Sequence, residues 1–175
     1  MDDLYFGDAS LNKRLYVAQA IVTAPVIFST AAGTGGPLLW NGSVNVNARL
    51  IAVGFAVTTA STAAGALGLT GAVGQTAAPG STTAIDSTAN LFIGGVKSSC
   101  TAYRVGTPTN AGTFFFPLAQ ITTGALTVSE STMSWTPLNR MITVPPGGWV
   151  SLAGSATLST AVIQCGLIWE EVPLY

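Results

Sequence analysis

Bulky and small residues alternate with a period of two in two stretches of the chain. Across residues 50–57 the bulky Ile51, Val53, Phe55 and Val57 hold the odd positions, and small Ala52, Gly54 and Ala56 hold the even ones. Across residues 161–169, Ile163, Cys165, Leu167 and Trp169 share one face, opposite Val162, Gln164, Gly166 and Ile168. Side chains of an extended strand point alternately to its two faces, so each stretch predicts a strand with one face in a core and the other closely covered. The second is expected to be the last strand. Shorter runs rich in Val, Ile, Thr and aromatics recur at 16–28, 91–105, 112–121, 126–129, 140–144 and 149–158. Gly, Pro, Ser and Asn clusters bound them. Such spacing predicts an all-β chain, an antiparallel sandwich or a barrel. Only residues 9–20, with Ser10 as a candidate cap, come near a helix pattern.

The punctuation predicts the turns. In Val144-Pro145-Pro146-Gly147-Gly148-Trp149, two prolines remove two backbone donors and the glycines permit positive φ, so a reversal is expected there. Residues 33–37, Gly-Thr-Gly-Gly-Pro, separate the first apolar run from Leu38-Leu39-Trp40, and Asn41-Gly42 fits a type I′ turn. Residues 74–88 are expected to form the longest loop. Residues 1–14 hold Asp2, Asp3, Asp8, Lys13 and Arg14, and are expected to form an arm outside a single domain of residues 15–175.

Charge changes the picture. Only 13 of 175 residues are charged, 7%, while 49% are hydrophobic; an average domain carries about 25% charged residues. Ordinary surface charge cannot keep such a chain dispersed, so copies of itself or a larger assembly are expected to cover much of it, with Ser, Thr, Gly and Asn coating the rest. The net charge is −1 and the six cations form no basic stripe in the sequence, which argues against nucleic acid as a partner. Residues 50–73 run without a charge for the length of a membrane span, yet their Thr, Ser and Gly content argues against membrane insertion. The acidic start, Met1-Asp2-Asp3-Leu4-Tyr5, lacks the features of a secretory signal, so synthesis in a cytoplasm is expected. Cys100 and Cys165 are expected to be buried free thiols.

The inventory for catalysis is poor. There is no histidine, no Cys/His cluster, no Walker lysine and no dinucleotide fingerprint. Glu170 and Glu171 would point to opposite faces of a strand, so they cannot form an acid/base pair, and pairing with Arg104 or Arg140 is expected. Ser10-x-x-Lys13 lacks the companion motifs of acyl-transfer enzymes. The glycines at 65, 68, 71 and 74 are too few for a collagen repeat. Asn41-Gly42-Ser43 reads as a turn rather than a glycosylation acceptor. The expectation is a non-enzyme with no cofactor and no metal. Trp149 and Trp169 are expected in the core, whereas Trp40 and Trp135, beside turn residues, are the expected interface aromatics.

Several segments resemble small structural proteins of tailed bacteriophages. They are Gly36-Pro37-Leu38-Leu39-Trp40-Asn41, Asn47-Ala48-Arg49-Leu50-Ile51-Ala52-Val53-Gly54-Phe55, Thr62-Ala63-Ala64-Gly65-Ala66-Leu67-Gly68-Leu69-Thr70, Val144-Pro145-Pro146-Gly147-Gly148-Trp149-Val150-Ser151-Leu152 and Gly166-Leu167-Ile168-Trp169-Glu170-Glu171-Val172-Pro173. The resemblance is one of style and segment, without a diagnostic motif. It implies a capsid decoration or cement protein with a jelly-roll sandwich, commonly a homotrimer, on the outer surface of the virion head, clamping major capsid protein subunits. The arm would reach across to a capsid subunit, and Ser/Thr-rich flanks would pack against sister subunits. A tail, fibre or receptor-binding component that recognises a host glycan is the alternative. A trimeric ligand of the tumour-necrosis-factor type would need an export signal, and a polysaccharide-acting enzyme would need a carboxylate pair built on Asp86 or Glu130.

Overall fold

The structure, a computed structural model, describes residues 14–23, 27–28, 37–59, 61–85, 89–90, 95–121 and 134–174. These form β1 (Leu15–Thr23), β2 (Leu38–Trp40), β3 (Val46–Thr59), β4 (Gly65–Ala72), β5 (Gly80–Ala84), β6 (Ala89–Asn90), β7 (Thr101–Thr107), β8 (Phe114–Ile121), β9 (Ser134–Pro137), β10 (Thr143–Val144), β11 (Trp149–Gly154) and β12 (Val162–Pro173). The first sheet has the order β10-β3-β12-β1-β6, with β9 on the same edge of β3 as β10; the second has the order β5-β7-β2-β11-β4-β8. Every pairing within the two sheets is antiparallel. The sheets pack face to face as a β-sandwich. No helix occurs among the described residues. The charge-free stretch at 50–73 is a crossover from β3 in one sheet to β4 in the other.

The last strand organises the core. β12 pairs with β1 from Val162 to Glu170 and with β3 from Val162 to Pro173. Its inward row is Ile163, Cys165, Leu167 and Trp169, all fully buried, as the alternation predicts. They meet Leu39, Leu67, Leu69, Val150 and Leu152 from the second sheet. Each such fully buried aliphatic side chain contributes roughly 1.5–3 kcal/mol by leaving water.

In β3 the alternation holds only in part. A register shift opposite Ile168 and Trp169 leaves Ile51 as an extra residue, so Val53, Phe55 and Val57 face the core after the bulge but Val46, Ala48 and Leu50 face it before. Ile51 is buried outside the core cluster. A bulge adds one residue to one strand, and that reverses the face of everything beyond it. The edge opposite answers it: Asn139 and Arg140 have φ of 48° and 64°, splitting β9 from β10 while Leu138 and Arg140 still donate backbone hydrogen bonds to Ile51 and Leu50.

A second, smaller core lies on the outer face of the second sheet. Leu38, Ala72, Tyr103 and Trp149 occupy the positions that alternate with core residues Leu39, Ala102 and Val150, and Trp40 packs against them. The chain after β7 bends back over this face. Gly106 lies against Leu38, Thr109 N–H donates to Gln75 Oε1 (3.2 Å), and Asn110 bridges the carbonyl of Val73 and the indole N–H of Trp149 (2.6 and 2.8 Å). Further along, Phe28 donates its N–H to Gly154 O and stacks at a tilt on Phe115, while the Thr70 hydroxyl donates to Phe114 O. Thr70 and Ser151, polar positions on this face, are buried.

Several expectations need correction. Among the described residues, the 16–28 run is strand through Thr23 and not at 27–28, and the 91–105 run is strand from Thr101 and not at 95–100. The 140–144 run contributes only Thr143–Val144, and the 149–158 run stops at Gly154. β5 interrupts the loop expected at 74–88. Asn41-Gly42 is not a hairpin turn, because the chain there passes between sheets: Asn41 is fully buried, its amide donating to Val46 O and Val144 O and its Oδ1 accepting from Ser43 N–H. The expected strand at 126–129, the turn at 33–36 and the helix-like residues 9–13 lie outside the described residues. The reversal at 145–148 is present, with Gly147 at φ 70° and Gly148 N–H donating to Pro145 O (2.8 Å). That is a type II geometry, which needs positive φ at the third residue.

Close strand packing makes a testable prediction. A side chain at Gly68 would meet the Phe116 carbonyl oxygen and the Phe115 ring, whereas one at Gly80 meets nothing within 4 Å. Gly68→Val is expected to cost about 2–3 kcal/mol in urea unfolding, and Gly80→Ala to stay within about 0.5 kcal/mol.

Candidate interaction surface

Cations scattered in the sequence converge in space. Among the described residues, Arg14, Arg49, Lys97, Arg140, Glu170 and Glu171 gather where β1 begins and β12 ends, while Arg104 lies apart on β7. The odd–even logic of β12 sends its two carboxylates to opposite sides. Glu170 points outward beside its cross-strand neighbour Arg49, and Arg140 Nε donates to Glu170 Oε1 at 2.7 Å. This realises one of the two pairings expected for the glutamates. Glu171 turns inward and holds the 98–100 segment: it accepts from the Ser98 hydroxyl, from Ser99 N–H (2.9 and 3.1 Å) and from Cys100 N–H (3.2 Å). A buried carboxylate is tolerable there because several donors replace its water.

The buried groups around Glu171 titrate accordingly. Burial, then the Glu171 and Cys100 charges, push the Tyr16 phenol up to about 12 against a weaker opposing effect of Arg14. Burial and the Glu171 carboxylate push the Cys100 thiol up, and burial alone does the same at Cys165. Both cysteines are free.

The outer face of the first sheet is the open one. Trp135 pairs with Gly54 across β9 and β3, and its ring lies flat over that glycine, 2.7–2.8 Å from where a Cβ would stand. Gly54 in turn pairs with Gly166 on β12, and Gly166 with Gln19 on β1. Two adjacent glycines thus floor a trough, with Ile168 and Val17 along one side and Gln164 and Ile21 along the other. Trp135 is 38% exposed and Ile21 52%, and Gln19 and Gln164 are exposed. The trough runs from Trp135 toward the Arg49–Glu170–Arg140 group.

The aromatic candidates therefore separate. Trp135 stands on the open face, whereas Trp40 is half-buried over Gly42 and joins the second core. Trp149 donates its indole N–H as expected for a core tryptophan; Trp169 is buried and stacks on Tyr16, its indole nitrogen unpaired among the described residues. Arg14, just before β1, is half-buried, and its carbonyl accepts from Glu171 N–H. Asp2, Asp3, Asp8 and Lys13, and the carboxylates Asp86 and Glu130, lie outside the described residues.

A groove of about 590 Å³ runs between β4 and β8 beside Ser155, and one of about 130 Å³ lies between Trp149, Phe114 and Val144. Neither is lined by a titratable side chain. No cluster of three or more metal-ligating side chains occurs among the described residues. Among the described residues no helix is long and apolar enough to cross a membrane. Arg49, the 98–100 clasp and Gly166 were not marked as site residues from the sequence; the small even face of 52–56 was the one signal of close cover, and the cover is Trp135. Comparison with protein-family models, curated proteins and solved structures finds no match.

Glu171→Ala strands the Ser98, Ser99 and Cys100 donors in a buried place, so a loss of about 2–3 kcal/mol is expected in urea unfolding, against about 0.5 kcal/mol or less for exposed Lys97→Ala. Tyr16, ordinarily titrating near 10, is held neutral in the fold to about 12. Its contribution is therefore complete below pH 10 and lost as pH rises toward 12, because the unfolded chain ionises first. Melting temperature is expected to fall steeply between pH 10 and 12, and Tyr16→Phe to flatten that fall.

Proposed function

We propose that the chain is a non-enzymatic structural protein of a tailed-bacteriophage virion, a homotrimeric decoration protein of jelly-roll type on the outer capsid surface, where it clamps major capsid protein subunits. The strand order supports the jelly roll. Rolling up one long antiparallel ribbon pairs its first strand with its last, its second with its second-last, and so inward. Here β1 pairs with β12, β2 with β11, β3 with β9 and β10, and β4 with β8. The segments β5, β6 and β7 add to the outer edges beyond β2 and β1.

The observation that carries the reading is the asymmetry between the two outer faces. One is covered by the chain's own loops; the other presents Trp135, Ile21 and Ile168, with the Arg49–Glu170–Arg140 group at one end. An open apolar sheet face on a chain so poor in charge is a surface for a neighbour. Multiple copies on a lattice would sum weak contacts of this kind. A second reading, a fibre or receptor-binding component, draws on the same tryptophan. An indole lying flat over glycine, with the Gln19 and Gln164 amides on neighbouring strands, suits stacking of a sugar ring.

The test uses purified protein and expanded shells assembled from the accompanying major capsid protein. Co-sedimentation with the shells, trimeric mass by light scattering, and at least tenfold weaker shell binding in Ile21→Asp are expected. A monomer at high concentration with no affinity for shells overturns the proposal. Glycan-array binding that Trp135→Ala abolishes would install the second reading instead.

A further inference from the structure

The two sheets leave a gap where the edge strand β10 meets the second sheet. It measures about 130 Å³, with Ile142 and Val144 on the side of the first sheet and Ala72, Phe114, Trp149 and Val150 on that of the second. Val144 and Val150 belong to the main core, and Ala72 and Trp149 to the smaller one, so the gap lies where the two cores meet. Protein interiors seldom leave space for more than one water molecule, and this gap holds about four times a water's share of the liquid. Its mouth is apolar too: Val73 is 60% exposed and Phe114 38%. The Phe114 ring rests over Gly71, 3.1 and 3.3 Å from where a Cβ would stand, so it walls the gap rather than filling it.

Polar groups around the gap are already engaged. The Val73 carbonyl accepts from the Asn110 amide, and the Trp149 indole N–H donates to the carbonyl oxygen of that same amide. Thr113 donates both its N–H and its hydroxyl to Gly71 O, and Val144 O accepts from the Asn41 amide. A buried water needs two to four polar partners, so an apolar guest meets little competition from solvent in this place. A charged guest would leave water and gain no counter-charge, since no titratable side chain lines the gap among the described residues. The walls therefore select a guest that is neutral and apolar.

We propose that this gap is a binding site for a small neutral hydrophobe, a molecule built on one aromatic ring of about six heavy atoms. An apolar cavity of about 150 Å³ accepts benzene, and the volume here is close to that. The guest touches β10 of the first sheet and β4, β8 and β11 of the second at once, so it ties the sheets together at their edge and stabilises the fold by mass action. So few contact atoms, with one side open past Val73, give a dissociation constant of order millimolar. The site is separate from the Trp135 trough and stands whichever partner that trough serves.

Titrating benzene into the full-length, isotope-labelled protein tests the site, with dioxane, a polar ring of equal size, as the control. Saturable shifts are expected at the backbone amides of Val73, Phe114, Val144 and Val150, while those of Ile21 and Trp135 hold and dioxane moves none of them. Melting temperature is expected to rise by about 3–5 °C at ten times the dissociation constant. Val73→Phe and Thr143→Phe, at exposed positions of the lining, are each expected to weaken benzene about fivefold or more by blocking the space, with amides far from the gap unmoved. Shifts that fail to saturate, or that are as large at Trp135 as at Val150, overturn the proposal, as does binding that both substitutions leave unchanged. Absence of benzene binding together with loss of shell binding in Val73→Asp assigns the gap to a neighbour's side chain and overturns the small-molecule site.

Discussion

The whole sandwich depends on β12 being paired on both edges while its inward row is sealed from water. β1 and β3 lie on either side of it and are separated in the chain by β2 in the other sheet, so the edge that each turns to β12 stays unpaired until the last strand arrives. The row from Ile163 to Trp169 then completes a core to which the second sheet contributes Leu67, Leu69, Val150 and Leu152. Pairing of residues so distant in sequence delays closure, because loop entropy is spent before the contacts form. The same strand carries Glu170 and Glu171 past the core to the end of the sheet. One clasps Arg140 outside and the other clasps the 98–100 segment inside, so the strand that closes the core also ties down its rim.

Scarcity of charge is handled differently on the two sheets. The second sheet is covered by its own chain, through Phe28 on one side and residues 106–113 on the other, and polar side chains such as Thr70 and Asn110 are spent satisfying backbone and indole groups there. The first sheet keeps an open face, and most of the described charges stand at its end. A trough with a cationic end and an aromatic wall is a surface with polarity along its length, which would orient the neighbour proposed above. That surface, rather than either groove, is where the function proposed above would reside.

Glycine and tryptophan work as a pair in this fold. Gly54 accepts the Trp135 ring and Gly42 the Trp40 ring, at positions where a Cβ would occupy the volume of the indole. An aromatic lying over a glycine covers backbone that would otherwise be open to water, and it stiffens a strand that glycine weakens. The consequence is that small residues in β3 mark contacts within the chain as much as contacts between chains.

How much was legible follows from the range of the interactions. Alternation at 161–169 revealed β12 and its inward face, the Pro-Pro-Gly-Gly run revealed the 145–148 reversal, and the absence of a 3.6-residue stripe revealed an all-β chain; each is a local property of neighbouring side chains and backbone torsions. Opposite faces for Glu170 and Glu171 followed from the same two-residue period, but the choice of Arg140 over Arg104 as partner did not. The bulge at Ile51 did not, because an extra residue in one strand is defined only against the register of another. Nor did Asn41 show itself: its three hydrogen bonds arise where β2, β3 and β10 meet, and its dipeptide with Gly42 has the appearance of an ordinary turn. The cluster of four cations and the open trough belong to neither category of local signal. They exist because antiparallel pairing brings residues 14, 49 and 140 to one end of one sheet and the Glu171 clasp on 98–100 holds Lys97 nearby, an arrangement that only long-range packing decides.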